Sequence, residues 1–66
     1  MVMMRVYLIY KRQKKKMTQA EVAEYLKISE RVYQYIETGA RTGSIEIWDK
    51  LEDLFQTSQR RLRETK

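Results

Sequence analysis

Cysteine, histidine and proline are absent from this 66-residue chain, and glycine occurs only twice. Without cysteine there is no disulfide scaffold, and without cysteine or histidine there is no zinc site built on either. A Ser-His-Asp or Cys-His catalytic centre is excluded because its base is missing. An enzyme would need paired carboxylates in a cleft, and so small a chain offers no obvious one. The expectation is a protein that binds and performs no chemistry. Long apolar runs are missing too: Val2 to Tyr10 is short, and Arg5 interrupts it. Nothing approaches the roughly 18–20 apolar residues of a membrane span. The basic residues follow that run, the reverse of a secretory signal. The 42% of hydrophobic residues suffices for one core, hence one domain over 1–66. That leaves no room for a second, sensory domain, and no cofactor, metal or small-molecule ligand is expected. A domain of this size is marginal alone, which favours a partner subunit.

Charge is plentiful and uneven. The net +5 divides into +6 over residues 1–16, −4 over 17–59 and +3 over 60–66. Basic ends therefore flank an acidic middle. The layout fits either a footprint for a polyanion or a solvated surface. Lys11 to Lys16 has no aromatic or leucine interleaved, so it forms no membrane-seeking amphipathic helix of its own.

Ser and Thr residues punctuate the chain ahead of helical patterns. Thr18 with Glu21 forms a capping box, with Met17 and Val22 at the staple positions, and opens a helix over about 19–26. Ser29 caps the next, with Ile28 and Tyr33 as its staple. That helix runs over about 30–38 and stops at Gly39, where a left-handed residue is wanted. Ser44 caps a third, whose stripe is Ile47, Trp48, Leu51, Leu54 and Phe55. Thr57 or Ser58 opens a short last helix carrying Leu62. The N-terminus admits two readings. Met4, Leu8 and Arg12 suit a helix over about 5–14, whereas Val2, Val6, Tyr7, Ile9 and Tyr10 favour a strand paired with a dimer mate. The helix is expected, because the rest of the chain is helical.

The helices over 19–26 and 30–38 are separated by Lys27, Ile28 and Ser29 alone, the layout of a helix-turn-helix. Ala23 supplies the small residue such a crossing needs, and Val22, Leu26, Ile28, Tyr33 and Ile36 lock its angle. Glu30, Arg31, Gln34 and Thr38 point away from the Val32–Tyr33–Ile36 stripe, with Tyr35 at its flank. Arg, Gln and Glu match guanine, adenine and the cytosine amine respectively.

The run MTQAEVAEYLKISERVYQYIETG resembles the Xre/Cro family of helix-turn-helix regulators, to which the lambdoid phage repressors belong. Thr18-Gln19, Val22-Ala23, Leu26, Ile28-Ser29, Tyr33, Ile36-Glu37 and Gly39 carry the likeness, which extends over about 8–62. It implies an all-α, lambda repressor-like bundle of four or five helices. It further implies a non-enzymatic, cytoplasmic regulator of prokaryotic, phage or mobile-element origin, a homodimer that represses from a double-stranded operator. Half-sites would lie about 34 Å apart.

By this resemblance Ser29, Glu30, Arg31 and Tyr35 face the major groove, and the helical wheel adds Gln34. Gln19 clamps a phosphate at a helix N-terminus, a natural anion site. Thr38 and the loop from Ala40 to Gly43, with Arg41, match a phosphate-contacting segment. Arg12 and Glu37 match an ion pair of the family, and Arg12 is also expected to attract phosphate. Lys14, Lys15 and Lys16 are placed to grip the backbone.

The chain departs from the family in four places. Lys27 stands where Gly is frequent, so the turn is expected to wind differently. Lys15 replaces an apolar residue, Glu30 brings an acid to the leading groove position, and Gln59 replaces an apolar residue, which predicts a frayed or partner-dependent last helix. Residues 63–66 read as a solvated tail. Trp48 reads as core ahead of a dimer anchor, and Tyr33 as core. The rival function is an antitoxin-like or adaptor module that uses the same fold with its DNA face idle.

Overall fold

Side-chain caps open four of the five helices found among the described residues. The computed structural model describes residues 4–65, and the helices are α1 (Val6–Lys14), α2 (Gln19–Leu26), α3 (Glu30–Thr38), α4 (Ile45–Phe55) and α5 (Gln59–Leu62). The Thr18 hydroxyl accepts from Glu21 N at 3.1 Å while Thr18 N donates to Glu21 Oε1 at 2.8 Å, completing the capping box. Ser29, Ser44 and Ser58 accept from Val32 N, Ile47 N and Arg60 N. Each such cap is worth about 1 kcal/mol. Gly39 ends α3 at φ 86°.

The expected all-α bundle is the one realised, with five helices. Among the described residues no strand forms; Val2, part of the strand alternative, lies outside them. Every helix contributes to one core: Leu8 from α1, Val22, Ala23 and Leu26 from α2, Tyr33 and Ile36 from α3, Trp48, Leu51 and Phe55 from α4, and Leu62 from α5. α2 packs chiefly on α3, and α1 closes the bundle against α3 and α5. Trp48 is buried and donates its indole N–H to Thr42 O at 2.6 Å, so it is core and also fixes the loop before α4. Gly43 completes that loop at φ 86°, where a Cβ would stand 3.4 Å from Ile36 Cδ1 and 3.5 Å from Trp48 Nε1.

Two expectations give way. The turn after α2 winds left-handed although its residue is not glycine: Lys27 adopts φ 61°, ψ 43°. The Ile28 N–H closes back on Ala23 O at 3.0 Å, and such closure holds the backbone against a strain of about 1–2 kcal/mol. Nor does α5 lack anchorage. Gln59 Nε2 donates to Asp49 Oδ1 at 2.8 Å and to Glu52 Oε1 at 3.0 Å, while Leu62 is buried. A polar clamp on α4 thus stands where an apolar contact was expected.

Candidate nucleic-acid interface

The α3 sequence ERVYQYIET separates two faces. Val32, Tyr33 and Ile36 turn toward the core, and Ser29, Glu30, Arg31, Gln34 and Tyr35 are all exposed. The five side chains proposed from sequence as groove-facing thus share one solvent-facing surface. The closest tie within it is a long contact of 3.5 Å from Gln34 Nε2 to Glu30 Oε2. The Arg31 side chain makes no hydrogen bond or salt bridge among the described residues, so its guanidinium fork is available to a partner.

Behind this face lies a buried carboxylate. Glu37 is 1% exposed. Arg12 Nε donates to Glu37 Oε2 at 2.6 Å and Gln19 Nε2 donates to Glu37 Oε1 at 2.9 Å. A second Arg12 nitrogen, Nη1, donates to Met17 O at 3.0 Å. One carboxylate on α3 therefore ties down the C-terminal half of α1 and the first residue of α2. Such a pair is costly to break from one side, because the other charge stays buried. Tyr33 completes the cluster. Its hydroxyl is buried and has no hydrogen-bond partner among the described residues. Burial first, and then the neighbouring Glu37 carboxylate, raise the pKa of the phenol above its ordinary 10.0, so it stays protonated.

This geometry places the residues expected to contact phosphate. Arg12 was expected to attract phosphate as well as to pair. Its guanidinium is paired with Glu37 and its side chain is 13% exposed. The Gln19 side chain is likewise turned to Glu37, which leaves its helix-terminal backbone N–H as the group available to an anion. Lys14, Lys15 and Lys16 are exposed, but Lys14 leans back onto Tyr10, 3.3 Å from its hydroxyl. Lys14 and Lys15 line a shallow cleft with Leu54, Phe55 and Gln56. Thr38 is half-buried, its hydroxyl donating to Tyr35 O at 3.2 Å, and Arg41 is exposed.

The sequence reading missed one residue altogether. Arg5 was counted as an interruption of an apolar run and part of the basic N-terminus. It is 6% exposed. Its Nη1 donates to Ile36 O and, at 2.8 Å, to Arg41 O; its Nε donates to Arg63 O at 3.1 Å; its backbone N–H donates to Glu37 O at 2.8 Å. The guanidinium also lies 5.2 Å from the centre of the Trp48 ring. No carboxylate pairs with it among the described residues. Its guanidinium is met by three carbonyls, of which Ile36 O lies in the last turn of α3, where the helix dipole is negative. Burial, with the like charge of Arg63, lowers its pKa, yet a guanidinium remains charged. The available signal was a lone arginine inside an apolar stretch, with no acid at helical spacing.

Comparison with known proteins agrees with the geometry. The helix-turn-helix family model matches residues 8–58, most of the chain. No curated protein and no solved structure matches it significantly. Two short helices joined at a left-handed turn, an exposed polar face on the second and a family match across both place the chain in the Xre/Cro-type helix-turn-helix family of DNA-binding domains.

Proposed function

We propose that this single domain is a sequence-specific transcriptional regulator that binds a double-stranded DNA operator as a homodimer, with no chemistry of its own. The observation that carries the reading is the undivided polar face of α3, exposed at Ser29, Glu30, Arg31, Gln34 and Tyr35 while Tyr33, Ile36 and Glu37 anchor the helix from behind. In this reading α3 enters the major groove and Arg31 reads guanine through its fork. The Gln19 N–H, Thr38, Arg41 and the lysines at 14–16 hold phosphates. Glu30 repels phosphate, so loose binding is disfavoured relative to a site that offers it a cytosine amine. Repression follows from occupancy of the operator, in the cytoplasm of a prokaryote or in a phage or mobile element. No described helix is long and apolar enough to cross a membrane.

Two substitutions test the assignment. Arg31→Ala should cost about 1–3 kcal/mol on the preferred duplex and relax preference at one base position. Lys15→Ala should weaken every duplex alike and reduce the salt slope by about one. Uniform weakening by Arg31→Ala would remove it from base reading, and an unchanged slope with Lys15→Ala would return the lysines to plain solvated surface.

A further inference from the structure

Arg5 joins three parts of the chain that sequence separation keeps apart. Its side chain holds the last turn of α3 through Ile36 O, the following loop through Arg41 O and the end of α5 through Arg63 O. The loop has two further inward tethers. Arg41 N donates to Tyr35 O at 3.1 Å, and Thr42 O accepts from Trp48, the ring beneath Arg5. With the Arg41 and Thr42 carbonyls both held inside, the Thr42 and Gly43 amides find no protein acceptor among the described residues.

We propose that Arg5 is a positioning residue for the loop over 39–43, fixing its backbone against the end of α3 so that the loop meets the same partner as the reading face. This rests on the DNA-binding reading above. A planar fork is needed, because three carbonyls from three segments must be reached from one group. A lysine ammonium is a point donor on a flexible stem and cannot reproduce that span. Arg5 thereby couples α5 to the loop: when the end of α5 shifts, the guanidinium shifts with it.

The test uses the whole chain and the variant Arg5→Lys, which keeps the charge. The control is Phe55→Leu, a core change at the far end of α4 from Trp48. At a temperature where all three proteins are folded by circular dichroism, Arg5→Lys should lose about tenfold in duplex affinity and about one unit of salt slope. Its Arg41 amide should exchange hydrogen about tenfold faster. Phe55→Leu should leave all three readouts near wild type. Equal losses in both variants, or unchanged Arg41 exchange in Arg5→Lys, would overturn the proposal. A second arm needs no variant: in wild-type protein under rising urea, the Arg5 and Arg41 amides should open together. Separate openings would also overturn it. Failure of the wild type to bind any duplex would remove the DNA-binding reading, and the exchange arms would still decide whether Arg5 holds the loop.

Discussion

Replacing Glu37 by Gln probes the cluster that sets the angle of α3. The change keeps shape and removes one buried charge. Glu37 accepts from Arg12 at 2.6 Å and from Gln19 at 2.9 Å, with side-chain exposures of 13% for Arg12 and 2% for Glu37. Breaking a buried pair from one side typically costs about 3–5 kcal/mol. Here Arg12 keeps Met17 O and some contact with water, and the glutamine carbonyl still accepts one bond. Both facts lower the expected loss to about 2–4 kcal/mol. At about 0.05–0.15 kcal/mol per residue, a chain of this length has about 3–10 kcal/mol in total. The variant should therefore melt about 10–25 °C below wild type. Thermal circular dichroism and urea titration measure this directly. The double change Arg12→Met with Glu37→Met should be more stable than Glu37→Met alone, because no unpaired charge remains. A Glu37→Gln loss under about 0.5 kcal/mol, typical of an exposed site, would refute this reasoning. So would a double variant no better than the single one.

Other outcomes follow from the same structure. Tyr33→Phe removes a buried hydroxyl that has no hydrogen-bond partner among the described residues, so it should raise stability by about 1 kcal/mol in urea titration. Its pH dependence has a definite sign. The folded-state pKa of Tyr33 is raised, so above about pH 10 the unfolded chain loses the phenolic proton first and wild-type stability falls by up to about 1.4 kcal/mol per unit. The urea-midpoint advantage of Tyr33→Phe should therefore widen between about pH 9 and pH 11, and a constant gap would show that the buried phenol is not what titrates. Lys27→Gly should gain about 0.5–1 kcal/mol by relieving φ 61°, the strain outweighing the added chain entropy. A loss on calorimetry would show the turn to be unstrained.

The helix boundaries were legible because local chemistry sets them. Thr18 with Glu21, then Ser29, Ser44 and Ser58, each satisfy free amides of the helix they precede, and the bounds of α2 and α3 follow. The exposed face of α3 was legible from its periodicity. The roles of Arg5, Arg12 and Gln59 were harder, since each depends on a partner far along the chain. Nothing local to Arg5 distinguishes a solvated arginine from one that bonds carbonyls at positions 36, 41 and 63. The pairing of Arg12 with Glu37 came from family likeness, and its distance and burial needed the geometry. Net charge was the least reliable guide: Arg5 and Arg12, two of the six basic residues in 1–16, are taken up inside the fold.

The most direct test of the account is a titration of the wild-type chain with duplex DNA, selected from random sequence and then scrambled, at several salt concentrations. The account predicts a linear fall of log affinity with log salt on both duplexes. It also predicts a preference of about 10³ or more for the selected site, with two half-sites about one helical turn apart. Equal affinity for selected and scrambled duplexes, or no binding at low salt, would contradict it.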